Sequence, residues 1–107
     1  MSSIGELETL ILFAILGIGP GAYGVSIQDE IADRTGRRLS RGAIYTATGR
    51  LEAKGFVVSE LGESSPSRGG RAKRYLSVTD EGLEVLRATT RDLDRMRAGV
   101  TEVPVDA

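Results

Sequence analysis

Neither cysteine nor histidine occurs in the chain. Without Cys there is no disulfide and no thiolate metal site, and a reducing compartment suits such a protein. Without His the commonest general base and the commonest metal ligand are both missing, so carboxylates and hydroxyls are the only catalytic groups left. The paired carboxylates do not supply a site. Glu6/Glu8 and Asp92/Asp94 stand two residues apart in helical segments, a spacing that turns the side chains to different faces. A long apolar run is also absent. The longest, Leu10–Ile18, has nine residues with one Gly among them, against the roughly 20 that a bilayer-spanning helix needs. Glu6 and Glu8 occupy the place where a signal peptide carries basic residues. These absences predict a soluble cytoplasmic protein, not a membrane protein and not an enzyme, with no cofactor and no metal.

What is present is a segregated charge. The formal net charge is −1, yet residues 34–74 hold ten Lys/Arg against three Glu, a local +7. Residues 1–33 hold five acids and no base, and residues 75–107 hold seven acids against four Arg. A basic middle between acidic ends suggests one face built to meet a polyanion, most plausibly nucleic acid. The alternative is a protein-docking module whose basic face meets an acidic partner.

The order of elements separates a groove-entering face from a merely solvated one. Glu6–Leu16 reads as a helix with apolar residues at nearly every position from Leu10 onward. Such a helix wants burial on most sides, more than a small domain provides alone, which suggests a partner chain. Gly17–Gly21, with its Pro, ends it. Val25–Arg34 forms a second helix closed by Gly36, and Ser40 is a good N-cap for a third over Arg41–Lys54, closed by Gly55. At 100° per residue Ile44, Ala47, Thr48 and Leu51 share the core side of that third helix. Phe56–Leu61 and Lys73–Val78 read as short strands joined by the Gly/Ser/Pro loop 62–70. Thr79 caps a last helix, along which Leu83, Leu86, Thr90 and Leu93 repeat at helical spacing and Met96 continues beside them. On its surface Glu84/Arg87, Asp92/Arg95 and Asp94/Arg97 have the spacing of solvated ion pairs.

Three helices, a β-hairpin and a final helix (α-α-α-β-β-α) predict a mainly α fold with a small β-hairpin, the winged helix-turn-helix. Residues 1–79 form its body, 80–100 a C-terminal helix whose thin apolar stripe suits docking on another helix, and 101–107 a frayed tail. The basic segment falls on the third helix and the hairpin. Opposite the core side of that helix, Gly42, Thr46, Gly49 and Ala53 make a stripe of small residues, with Arg41 and Tyr45 on one flank and Arg50 on the other. A smooth stripe lets a helix sit close to a groove floor while longer side chains reach bases or phosphates from its edges. Gly49 costs the helix about 1 kcal/mol relative to Ala. Arg68, Arg71, Lys73 and Arg74 around Gly69-Gly70 suit backbone phosphates. Gly19–Gly24 spells GxGxxG, but a dinucleotide fold needs a strand before it, and a helix is predicted there instead.

These residues resemble the PadR-like family of bacterial transcriptional regulators. The likeness runs from Gly5 to about Leu86 through Gly5-Glu6-Leu7-Glu8, Ala22-Tyr23-Gly24-Val25, Thr35-Gly36-Arg37, and Ser40 with Gly42-Ala43-Ile44-Tyr45. It continues through Arg50-Leu51-Glu52 with Lys54-Gly55, Arg68-Gly69-Gly70-Arg71 with Lys73-Arg74-Tyr75, Val78-Thr79, and Gly82. Each fragment is weak alone; their order and spacing are specific. The resemblance implies a homodimeric repressor of operators with two-fold symmetry, residues 80–100 being a C-terminal dimerisation helix packed on the partner's first helix.

Residues and resemblance together place contact with double-stranded DNA at Ser40, Arg41, Gly42, Tyr45, Thr46, Gly49 and Arg50, with Arg68, Arg71 and Lys73 on the wing. Dimerisation falls to Leu7, Leu10, Ile11, Leu83, Leu86, Thr90, Leu93 and Met96, and the acidic ends are expected to lie with that interface, away from DNA. Two positions depart from the family pattern: Thr48 stands where Leu is usual and Gly49 where a polar residue is. Some relatives carry a longer C-terminal domain with a ligand pocket. Here only 28 residues follow Thr79, so a small-molecule effector is not expected, a pocket at the dimer interface being the one place left for it.

Overall fold

The computed structural model describes residues 3–62 and 72–100. Within them the chain forms α1 (Glu6–Ile18), α2 (Gly24–Thr35), α3 (Arg41–Ala53), β1 (Val57–Leu61), β2 (Arg74–Val78) and α4 (Asp80–Ala98). The order is the predicted one, with ends shifted by a residue or two. The architecture is a winged helix-turn-helix with a long C-terminal helix. The expected tail at 101–107 lies outside the described residues.

Local chemistry sets most boundaries. The Ser40 hydroxyl accepts from the Ala43 N–H at 3.0 Å and the Thr79 hydroxyl from the Gly82 N–H at 3.0 Å, each satisfying a first-turn donor of the helix that follows. At α1 the Glu8 carboxylate reaches back to the Gly5 N–H at 2.9 Å. Gly36 ends α2 in the left-handed conformation, φ 76°. Thr79 also donates to the Gly55 carbonyl at 2.7 Å, so the cap of α4 is tied to the end of α3. Gly82 has a different reason. A Cβ there would collide with the Phe56 carbonyl oxygen, so only glycine lets the first turn of α4 lie on the α3–β1 junction.

α1 is the hub, touching α2, α3, β2 and α4. The core between these elements centres on Ile11, Leu12, Ile27, Ile44, Leu51 and Val57, all fully buried, with Ile15, Ile31, Phe56, Leu76 and Leu86 around them. Each such side chain stabilises the fold by about 1.5–3 kcal/mol. The strands pair antiparallel, with Val57 opposite Val78 and Leu61 opposite Arg74. The Leu76 N–H donates to the Ala22 carbonyl at 2.8 Å, fastening the hairpin to the α1–α2 turn. α1 precedes Gly19–Gly24, so the glycines there belong to a helix-to-helix turn and not to a dinucleotide site.

One expectation about packing is corrected, that for Thr48. α1, in contact with α2, α3, β2 and α4, still leaves Phe13 and Leu16 49% and 46% exposed, so this small body does not cover the whole helix. Thr48 is half-buried and stands at the edge of the core, not in it. Ile44, Ala47 and Leu51 already fill the contact, and the Thr48 hydroxyl donates to the Tyr45 carbonyl at 3.0 Å. Of the three ion pairs expected along α4, only Asp94–Arg97 closes, at 3.4 Å.

Candidate nucleic-acid interface

The outward face of α3 is open. Arg41, Gly42, Tyr45, Thr46, Gly49, Arg50 and Ala53 are all exposed, Tyr45 by 79%. A Cβ at Gly49 would meet nothing within 4 Å, and one at Gly42 only the Ser40 hydroxyl at 3.9 Å. The protein itself therefore does not require glycine at either place. Arg41, Tyr45, Thr48 and Glu52 form one row of α3 and face Tyr23, Arg74 and Leu76 across a cleft of about 600 Å³. That cleft separates the helix from the root of the hairpin. Of the wing residues named from sequence, Lys73 is half-buried at this root, and Arg68 and Arg71 lie outside the described residues.

Eight of the ten basic residues of 34–74 lie among the described residues, and they divide into two groups. Arg34 pairs with Glu30, Arg37 with Glu6 and Lys54 with Glu8, the last at 2.9 Å. Among the described residues Arg38, Arg41, Arg50, Lys73 and Arg74 have no acid in salt-bridge range. Lys73 lies over the Tyr23 ring, its ammonium 4.1 Å from the centroid. Arg74 donates to the Ser59 hydroxyl at 2.8 Å, and that hydroxyl donates to Glu52 at 2.7 Å. The acids of α1 are thus not segregated from the basic segment: Glu6 and Glu8 diverge, as their spacing required, and each holds one of its cations. Glu8 is buried. Burial works to raise its pKa, but the Gly5 N–H, the Lys54 ammonium and the charge of Arg50 outweigh it and hold the carboxyl below its ordinary value.

The apolar residues named for dimerisation do not lie together. Ile11 is fully buried in the core of this chain, and Leu86 is buried as well but also lines the groove between α1 and α4. Leu7, Leu10, Leu83 and Thr90 are half-buried, while Leu93 and Met96 are 62% and 76% exposed. Every residue of α4 from Arg91 onward is exposed. Phe13 and Leu16, absent from the sequence reading, complete the patch: with Leu83 and Thr90 they line a groove of about 680 Å³ between α1 and α4. Their three-residue spacing opposite Ile11–Leu12–Ile15 is the signal that could have found them.

A family profile for the transcriptional regulator PadR-like family matches residues 12–88. The chain belongs to this family. Solved structures agree with the assignment. A PadR family transcription regulator from hypervirulent Clostridium difficile is 26% identical, with a TM-score of 0.74 over 88% of this chain and 93% of that one. A PadR family transcriptional regulator from Eggerthella lenta is 31% identical, with a TM-score of 0.70 over 89% of this chain and 82% of that one. Bacillus subtilis PadR, solved in complex with operator DNA, shares the fold at 19% identity and a TM-score of 0.67, over 92% of this chain and 49% of its own. Comparison with curated proteins finds no match. In this PadR-like chain no described helix is long and apolar enough to cross a membrane. The two departures noted from sequence, Thr48 and Gly49, both line the cleft beside the outward face of α3.

Proposed function

We propose that this regulator binds double-stranded DNA in the cytoplasm as a homodimeric repressor, with α3 in the major groove and the wing on the flanking backbone. The observation that carries this reading is the outward face of α3. A floor of Gly42, Thr46 and Gly49 is flanked by Arg41, Tyr45 and Arg50, all exposed, and neither arginine is held by an acid among the described residues. Small residues permit close approach, and long donors at the edges reach base edges and phosphates. The operator complex of Bacillus subtilis PadR supports the same use of the fold. Ser40 serves mainly as the cap of α3, offering its N–H end to the backbone. Arg68, Arg71 and Lys73 supply the salt-sensitive part of the affinity.

The apolar patch supports the dimer. Phe13 and Leu16 on α1 and Leu93 and Met96 on α4 are open on one chain, and a two-fold axis would cover α1 of each copy with α4 of the other. Two such copies would read half-sites about one helical turn apart. Selection of bound duplexes from a random pool tests the whole reading. The expected product is an inverted repeat, enriched at low salt and lost steeply as salt rises. A pool that stays random, with no duplex affinity even at low salt, would favour the protein-docking alternative.

A further inference from the structure

The chain has two lysines, Lys54 and Lys73, and the fold treats them in opposite ways. Lys54 is neutralised: both Glu8 oxygens accept from its ammonium, at 2.9 and 3.2 Å. Lys73 has no carboxylate in salt-bridge range among the described residues; its neighbour is the Tyr23 ring face. A ring quadrupole attracts the cation and leaves its charge available to an anion.

The ring that holds it is itself fixed. Tyr23 is the residue before α2, where its N–H donates to the Ser26 hydroxyl at 2.9 Å. The Tyr75 ring meets it edge to face, with centroids 5.9 Å apart and planes at 72°. The Tyr75 ring also occupies the space where a Cβ of Gly62 would be, and the Gly62 N–H donates to the Lys73 carbonyl at 2.8 Å. Gly62, Tyr75, Tyr23 and Lys73 are therefore one stack joining both strands of the wing root to the start of α2. Tyr23 also walls the cleft that has Arg41 and Arg74 on its other sides.

We infer that Tyr23 is a positioning residue: it holds the Lys73 ammonium and the wing root in place before DNA arrives, so that a phosphate passing between α3 and the wing meets a pre-placed cation. The inference rests on the DNA-binding reading above. Its physical basis is that a long flexible lysine already ordered loses less freedom on binding. The phenolic oxygen has no part in it, so Tyr23→Phe keeps the function and Tyr23→Leu removes it.

The test begins without DNA. Reductive dimethylation with a carbon-13 label preserves the charge and gives one side-chain signal per lysine. The Lys73 methyls are expected upfield, shifted by the ring current, in the unaltered protein and in Tyr23→Phe. In Tyr23→Leu they return to the free-lysine position while the Lys54 signal stays put. An unshifted Lys73 signal in the unaltered protein, which needs no variant to fold, overturns the inference. With operator duplex, Tyr23→Leu is expected to weaken binding about 2–5-fold and to lower the slope of log K against log salt by about 0.9, one phosphate contact. Lys73→Gln should do the same alone and add little in the Tyr23→Leu background. An unchanged slope in Tyr23→Leu beside intact operator binding overturns this inference alone. Absence of duplex binding by the unaltered protein overturns the DNA reading and this inference with it.

Discussion

α1 and α3 are each thirteen residues long and each gives the core an inner face of three or more buried apolar side chains. Their outer faces differ completely. α1 shows Phe13 and Leu16, and α3 shows glycines, Thr46 and two arginines with no acid in salt-bridge range among the described residues. Inner faces of this kind hold a domain together and say little about its work, whereas the outer faces separate a surface that needs another apolar surface from one that needs an anion. α4 extends the contrast. Its first half packs on the body through Leu86, and its second half projects with Leu93 and Met96 uncovered.

The largest expected effect comes from spoiling the apolar side of that contrast. Leu93→Asp changes a residue exposed in the single chain, so the fold should persist while sedimentation shifts toward monomer. Operator affinity should then fall by about 100-fold or more, because two linked half-site contacts become independent ones. A variant that stays dimeric would take α4 out of the interface, and the difference between α1 and α3 would lose its functional meaning. On the other side, Tyr45→Ala and Thr46→Ala should leave the oligomer intact and narrow the gap between operator and random duplex by about 1–3 kcal/mol each. An unchanged preference in a competition assay would remove them from the reading face.

Much of this contrast was legible in sequence, and what was not has physical reasons. Ser40 and Thr79 were readable as caps because a hydroxyl before a periodic segment has one common use, and the stripe Gly42–Thr46–Gly49 follows from helical phase alone. Phe13 and Leu16 share one side of α1 by their spacing, but in an unbroken apolar run that spacing does not say which side the body covers; the packed neighbours decide it. Thr48 was assigned to the core because a helical wheel gives direction but not the width of the contact. Pairings across long separations, Glu8 with Lys54 and Tyr23 with Lys73, are properties of the folded arrangement and leave no local pattern. Ile11 and Leu86 illustrate a further limit: helical spacing does not separate a side chain used by this chain's own core from one open to a partner, and both are buried here, with Leu86 also lining the α1–α4 groove.

Gly49→Ala sharpens the comparison by separating fold from function at one atom. A Cβ there meets nothing in the chain, and alanine favours helix over glycine by about 1 kcal/mol, so thermal stability should rise. If the smooth stripe exists for close approach to a groove floor, operator affinity should fall in the same variant. A gain in both would mean that Gly49 is only a weak point facing water.

The smallest effect probes the seam between the two regions, where Glu8 of α1 holds Lys54 just after α3 at 2.9 Å. Its carboxyl pKa is lowered in the fold, so the folded state binds fewer protons there than the unfolded chain. The resulting stabilisation is fully present above the unfolded carboxyl value, about 4.3, and is lost as pH falls through the lower folded value. With Lys54 partly exposed, about 0.5–1 kcal/mol is expected. Glu8→Gln should therefore melt below the unaltered protein at pH 7, with the difference closing below about pH 4 as Glu8 itself takes up a proton. A difference that persists unchanged at pH 3 would show that the carboxylate charge is not its source, leaving the apolar and basic regions joined by packing alone.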